Sequence, residues 1–237
     1  MKDNAFFKEQ LISYGYSPTD YQISSFERYY ELLITWNEKI NLTAITEYKE
    51  VFIKHFLDSV SIIKAYDMSE VSSVIDVGTG AGFPGIPIKI MFPHINVTLL
   101  DSLNKRLNFL NEVINELSLE NIYTVHGRAE DIAKEKDHRE KYDLCVSRAV
   151  ANLSTLSELC IPFVKVGGSF VSYKSEKATD EITNAGKAIQ LLGGSFKKRI
   201  DFDLDGNNRT FIIIDKISST TKKYPRKAGT PAKEPLQ

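Results

Sequence analysis

The segment Asp76-Val77-Gly78-Thr79-Gly80-Ala81-Gly82-Phe83-Pro84-Gly85 is where residue type and spacing bear most directly on chemistry. Its glycines permit a tight turn and close approach of the backbone to a ligand. It follows a β-branched run and opens a helical one, so a helix N-terminus favours a negative group such as a carboxylate beside it. Dinucleotide-binding turns place a third glycine where this chain has Phe83, and Gly82 makes the pattern GxGxG instead. No phosphate loop ending in Gly-Lys-Ser or Gly-Lys-Thr is present. Asp76, two residues before Gly78, suits a ligand with a positive amino group. S-adenosylmethionine fits this description, with an ammonium, a sulfonium, one carboxylate and no phosphate. A glycine-rich turn without a ligand is the plainer alternative.

Other candidates lie at the ends of later apolar runs. Asp101 closes NVTLLD, where an acid can accept both ribose hydroxyls of a nucleoside or cap the next helix. His126-Gly127-Arg128-Ala129-Glu130-Asp131 follows another such run. Ala129 and Glu130 there either contact an adenine ring or begin an ordinary helix. Arg148 follows the apolar YDLCVS, as a ligand-facing cation or as a surface one. His55, His94, His126 and His138 fall in no evident acid–base motif, so no catalytic acid or base is named. Cys145 and Cys160 sit in apolar segments without a CxxC or Cys/His cluster, which predicts reduced core thiols and no metal site.

These residues need elements to position them. Residues 1–70 are expected to be helical, with one helix over 19–39, capped at SPTD, and a second over about 48–66. From Val71 strands and helices alternate: strands at 71–78, 96–101, 122–127, 142–150 and 167–174, helices at 84–92, 103–119, 153–164 and 176–194, and a polar helix or loop over 131–141. Alternation of this kind predicts a parallel sheet covered on both faces. Residues 195–204 and 209–217, joined by Asp205-Gly206-Asn207-Asn208, predict an antiparallel hairpin. The fold class is therefore α/β: a mostly parallel, seven-stranded, Rossmann-like sheet of the class I methyltransferase kind with an antiparallel last strand and an N-terminal helical extension. The expected division is an extension over 1–70, a cofactor-binding core over 71–217 and a basic tail over 218–237.

The 237 residues are 42% hydrophobic and 26% charged, ordinary for one globular unit with a sizeable core. The start, MKDNAFFKEQ, lacks the apolar stretch of a secretory signal, and no run approaches the roughly 20 apolar residues of a membrane span. A cytoplasmic protein without a membrane partner is the expectation. Net charge is −1, but residues 222–237 gather Lys222, Lys223, Arg226, Lys227 and Lys233 against Glu234. That tail is either a phosphate-contacting arm or a solvated end.

Taken together, the motifs closely resemble the small-subunit ribosomal RNA guanine-N7 methyltransferase G family. WNEKINLTAI (36–45), KHFLDS (54–59), IDVGTGAGFPGIPIKI (75–90), LLDSLNKRLNFL (99–110), HGRAED (126–131), VSRAVANL (146–153) and KYPRKAGTPAKEPL (223–236) carry the resemblance over nearly the whole chain. Ser175, where a glycine is expected after Tyr173-Lys174, is a minor departure. The resemblance implies N7-methylation of a guanine in the decoding region of 16S ribosomal RNA, with S-adenosylmethionine as cofactor and the 30S subunit as partner, by a protein expected to be a monomer.

On that basis Gly78, Phe83, Ala129, Glu130 and Arg148 are carried over as cofactor contacts, beside Asp76, Gly80 and Asp101. Arg128, Arg148 and Arg209, at strand ends or turns, are candidates for guanine O6 or phosphate. Lys222, Lys223, Arg226 and Lys227 are candidates for phosphates, and Tyr173 either stacks on a base or fills the core. Three other readings compete. A methyltransferase for a small molecule or protein has no use for the basic tail. An assembly factor binds RNA without cofactor, against the intact glycine turn. A nicotinamide oxidoreductase is disfavoured by Phe83.

Overall fold

A computed structural model describes residues 4–148, 151–175 and 179–236. Ala149 and Val150 of the VSRAVANL motif, and residues 176–178 of the helix expected from 176, lie outside the described residues.

The N-terminal helices form where capping and periodicity place them. α1 spans Ala5–Ser13 and α2 spans Asp20–Ile40. Thr19 and Gln22 close a reciprocal capping box at the start of α2, each accepting from the other's backbone N–H. Asn41, at φ 49°, ends it in the left-handed conformation. Ile23, Phe26, Tyr29 and Leu33 make its buried face.

The helix expected over 48–66 is not regular. It runs as α3 (Tyr48–Val51), a π-helical stretch (Phe52–Leu57), α4 (Asp58–Val60) and a 3-10 turn (Ser61–Lys64). A π stretch rotates the following side chains relative to an α-helix, so the buried set shifts along the chain. Phe52, Phe56, Asp58 and Ser59 are all buried.

The sheet has seven strands in the order β3-β2-β1-β4-β5-β7-β6. These are β1 (Ser73–Val77), β2 (Asn96–Asp101), β3 (Ile122–His126), β4 (Tyr142–Ser147), β5 (Val164–Ser175), β6 (Gly194–Leu204) and β7 (Asn207–Lys216). β1 to β5 pair in parallel, and β7 runs antiparallel between β5 and β6. The mostly parallel sheet with an antiparallel last strand is thus present. The hairpin turn is tighter than expected: Asp205 and Gly206 alone make it, both at positive φ, and Asn207 and Asn208 already belong to β7. Two left-handed residues match the twist of the flanking strands, which a four-residue turn does not require.

Helices cover both faces: α5 (Gly85–Met91) and α6 (Asn104–Glu116) on one, α8 (Leu153–Cys160) and α9 (Thr179–Leu191) on the other, with short α7 (Ala129–Ile132) and α10 (Thr230–Lys233). Alternate residues of β1 serve the two faces: Val74 joins one hydrophobic cluster and Ile75 the other. The first cluster takes in Phe7, Phe26 and Tyr29 of the N-terminal helices, so these share a core with the sheet. The second contains Cys145 and Cys160, both buried free thiols, and Tyr224 of the C-terminal segment. No helix among the described residues is long and apolar enough to cross a membrane.

Candidate functional site

The chain passes from β1 outward to β2 and β3, then crosses back to β4 on the other side of β1, and a crevice opens at the carboxyl ends of the strands at such a reversal. A cleft of about 360 Å3 lies there, between the ends of β1, β2, β3 and β4. Gly78, Asp101, Arg128, Ala129 and Glu130, all singled out from the sequence, line it. So do Arg106, Ser147, Leu156 and Leu159, which sequence reasoning missed. The two leucines come from α8, far along the chain, and no motif marks them. A wider groove of about 730 Å3, between Tyr14, Lys64, Met68 and Phe92, lies beside the start of β2, away from the carboxyl ends.

The glycine turn is clamped from two sides. Asp76 is fully buried; its Oδ2 accepts from Thr79 Oγ1 at 2.7 Å and the Gly85 N–H at 2.8 Å. Its Oδ1 is buried with no hydrogen-bond partner. Burial pushes the Asp76 carboxyl up to about 6, against the pull of those two donors and of Arg148. Asp101 Oδ2 accepts from the Gly80 N–H at 2.9 Å and from Arg106 at 3.2 Å, and its Oδ1 from the Leu103 N–H at 2.9 Å. Asp101 therefore ties the turn to the start of α6. A carboxylate has about four acceptor positions, so one remains for a ligand hydroxyl. Tyr29 of α2 donates its hydroxyl to the Ala81 carbonyl. A Cβ on Gly82, whose φ is +95°, would lie 2.5 Å from that hydroxyl, so this position must be glycine.

These residues fit S-adenosylmethionine. A cleft with a free acceptor position on Asp101 suits a ribose, and a buried carboxylate beneath the glycine turn, one oxygen unpartnered, suits a nearby ammonium. The donor set offers no lysine cradle for a phosphate chain.

Of the residues expected to touch the cofactor, Asp76, Gly80, Phe83 and Arg148 do not line the cleft; Asp76 and Gly80 lie in the turn beside it. Phe83 is buried beside Tyr29, ring centroids 5.5 Å apart, with the His55 ring stacked on it at 4.7 Å. The Arg148 guanidinium lies over the Phe83 ring, 5.0 Å from its centroid. Arg148 Nη1 donates to Asp58 Oδ2 at 2.7 Å and to the Lys54 carbonyl at 3.1 Å, and Nη2 faces His55 Nδ1 at 3.4 Å. Arg209 Nε donates to the other Asp58 oxygen at 2.9 Å. Since arginine can only donate, His55 Nδ1 is the acceptor and Nε2–H donates to Thr43 Oγ1 at 2.8 Å. Burial, then Arg148, pulls the imidazole down to about 3 and keeps it neutral. Asp58 and His55 lie in the KHFLDS motif, but nothing in that motif shows that they hold Arg148 and Arg209.

The basic tail is folded onto the body. Arg226 wraps the fully buried Glu158 of α8, with Nη2 at 2.7 Å and Nε at 3.0 Å. The Gly229 N–H donates to Glu130 Oε1 at 2.8 Å, and Thr155 Oγ1 to the Pro231 carbonyl at 2.9 Å. Lys222, Lys223 and Lys227 remain exposed, as does Arg128 at the cleft rim. Tyr173 is buried, donating to the Ser59 carbonyl at 2.8 Å, so it fills the core.

Comparison with known proteins agrees with this arrangement. The family model described as rRNA small subunit methyltransferase G matches residues 22–207. A protein of Lachnoclostridium phytofermentans named ribosomal RNA small subunit methyltransferase G is 53% identical, covering 100% of this chain and 98% of its own. One of the same name from Lactococcus lactis subsp. cremoris is 50% identical over 98% of each. Among solved structures, M. jannaschii TYW2 in complex with AdoMet superposes with a TM-score of 0.57 at 15% identity, covering 73% of this chain and 80% of that one. The Methanococcus jannaschii fibrillarin pre-rRNA processing protein does so at 0.53 and 16%, covering 66% and 73%. At these identities the likeness is one of fold.

Proposed function

This chain belongs to the small-subunit ribosomal RNA methyltransferase G family, and on that premise we propose that it transfers a methyl group from S-adenosylmethionine to N7 of one guanine in the decoding region of 16S RNA. The observation that carries the reading is the cleft at the carboxyl ends of the strands, where Gly78, Asp101, Ala129 and Glu130 converge. Asp76 and the glycine turn serve the amino-acid end of the cofactor, Asp101 the ribose, and Ala129 and Glu130 the adenine. Phe83 and Arg148 complete the side toward the RNA.

S-adenosylmethionine, when bound, supplies a methyl group already activated by its sulfonium. Guanine N7 has a free lone pair and no proton, so no general base is needed. With the cofactor held there, N7 would gain the methyl group as the C–S electron pair stayed with sulfur, giving a cationic 7-methylguanine and a neutral thioether. The protein's contribution is placement, which is worth up to roughly 7–11 kcal/mol in favourable cases. Arg148 and Arg209, steadied by Asp58, donate to guanine O6 or a neighbouring phosphate, leaving N7 free. Neutral His55 adds no charge to a site where a cationic base forms. Arg128, Lys222, Lys223 and Lys227 contact RNA phosphates around the cleft, and Arg226 holds the tail that carries the lysines. The protein acts as a monomer in the cytoplasm on the 30S subunit, through a core over 71–217 with its extension and basic tail.

The test is incubation of the purified protein with labelled S-adenosylmethionine and 30S subunits lacking the modification, followed by mapping of the labelled nucleotide. Label on one guanine N7 is expected. Cofactor binding with no label in RNA would overturn the ribosomal reading.

A further inference from the structure

The basic tail has two kinds of residue, and only one kind is available to RNA. Arg226 is committed: its backbone N–H, Nε and Nη2 donate to Glu158, a carboxylate with no exposure, and Nη2 also donates to the Glu234 carbonyl. Tyr224 and Pro231 are buried, and Arg139 holds the Thr220, Thr221 and Tyr224 carbonyls from below. The chain so pinned passes behind the cofactor cleft. Glu130 lines that cleft and is nine-tenths buried, and its Oε1 takes the Gly229 N–H. Leu156 and Leu159, on either side of the Glu158 that holds Arg226, line the same cleft.

From this geometry we infer that the C-terminal segment from Tyr224 to Pro231 is a positioning element of the cofactor site. It fixes Glu130 and α8 as the wall against which the adenine end of S-adenosylmethionine rests. The inference rests on the proposed placement of the adenine beside Ala129 and Glu130. A hydrogen bond to a buried carboxylate restricts the side chain to one orientation, and helix α8 cannot shift without breaking the Arg226 fork. The tail thus acts on cofactor binding through Glu130 and Glu158 while its free lysines face outward.

Deletion of residues 228–237 removes the Gly229 donor together with the Pro231 and Glu234 carbonyls that Thr155 and Arg226 bond, and leaves Lys222, Lys223, Lys227 and the Arg226–Glu158 pair in the chain. The expected result is a rise of about five- to tenfold in KM and Kd for S-adenosylmethionine, with kcat at saturating cofactor retained. Arg226→Ala acts through Glu158 and raises both in the same way. An RNA-only role gives the opposite split, with the Kd for S-adenosylmethionine unchanged and RNA binding weakened, and would overturn the inference. A second measurement uses the intact chain: S-adenosylhomocysteine is added and backbone amide exchange is followed. Slower exchange over 224–231 together with 126–131 supports the coupling. Protection at 126–131 alone overturns it. Failure of the intact chain to bind S-adenosylhomocysteine at all overturns the cofactor reading, and the inference with it.

Discussion

The Asp58 carboxylate accepts from Arg148 at 2.7 Å, with the two side chains 6% and 19% exposed, and so ties the short helical turn after the π stretch to the end of β4. The same carboxylate holds Arg209 from β7. Removing one partner of a buried ion pair costs about 3–5 kcal/mol, and the partial exposure of both arginines lowers that here to about 2–3 kcal/mol for Asp58→Ala. Asp58→Asn keeps an acceptor and loses less. Because Asp58 does not line the cleft, either change leaves the Kd for S-adenosylmethionine near the native value while kcat falls by about a hundredfold, as expected for a misplaced base-contacting group. Calorimetric cofactor titration beside single-turnover methylation checks this. A loss of cofactor affinity that matches the loss of rate would refute the assignment.

Two buried groups pull the pH dependence of stability in opposite directions. His55 is held at about 3 in the folded chain, against an ordinary value of 6.5. Between those values the unfolded state binds the proton, so stability falls as pH falls, by about 1.4 kcal/mol per unit. Asp76 is held at about 6, against an ordinary 3.8. There the folded state binds the proton, and stability falls as pH rises, with the same slope. From about pH 4 to 6 the two cancel. His55→Asn should therefore make the stability curve tilt downward with rising pH relative to the native protein, and Asp76→Asn should tilt it upward. Urea midpoints at pH 4.5, 5 and 5.5 decide the matter; parallel curves for all three proteins would count against both burial assignments.

The same carboxyl links cofactor affinity to acidity. An ammonium beside Asp76 favours the ionised form, so affinity for S-adenosylmethionine should weaken by up to about tenfold per pH unit below 6. Asp76→Asn should bind weakly and without that dependence. Titrations from pH 5 to 8 test it, and a flat profile for the native protein would mean that Asp76 does not sense the ligand.

The glycine turn, the strand–helix alternation of the parallel core and the terminal hairpin were legible because each has a local signature: glycine spacing, alternating periodicities, an Asp-Gly turn. Asp101 was legible as an acid at a strand end, either a cap or a ligand acceptor; its bonds to the Leu103 and Gly80 N–H groups tie the start of α6 to the glycine turn, a link the sequence did not mark. What was not legible depends on contacts between distant residues. The 90-residue separation of Asp58 and Arg148 leaves no periodic trace. The π stretch over Phe52–Leu57 differs from an α-helix by less than one residue per turn, too little for six residues to reveal. Charge composition marked the tail as basic but did not distinguish Arg226, neutralised by Glu158, from the lysines beside it.

Gly82 joins the N-terminal helices to the cofactor turn. In Gly82→Ala the new Cβ meets the Tyr29 hydroxyl at 2.5 Å and Ile86 Cδ1 at 2.7 Å, and the φ of +95° is strained for any side chain. A loss of about 2–4 kcal/mol is expected, from strain and overpacking together. Adding Tyr29→Phe removes the nearest atom but neither the strain nor the Ile86 contact, so the double variant should recover less than half of the loss. Full recovery would place the whole constraint in Tyr29.

The free cations make a separate prediction about RNA. Lys222, Lys223 and Lys227 are exposed on a segment held at Arg226 and Gly229, and Arg128 is exposed at the cleft. Each phosphate neutralised by a cation releases counterions and steepens the fall of log affinity with log salt by about 0.7–0.9. Changing all three lysines to alanine should therefore flatten the slope for 30S or 16S RNA binding by about 2, while the Kd for S-adenosylmethionine stays within about twofold of native because none of the three lines the cleft. Arg226→Lys keeps the pairing with Glu158 and should leave the salt slope as it was. If the triple variant shows the native slope, the tail lysines point away from RNA, and the phosphate contacts must come from Arg128 and the surface around Arg209 instead.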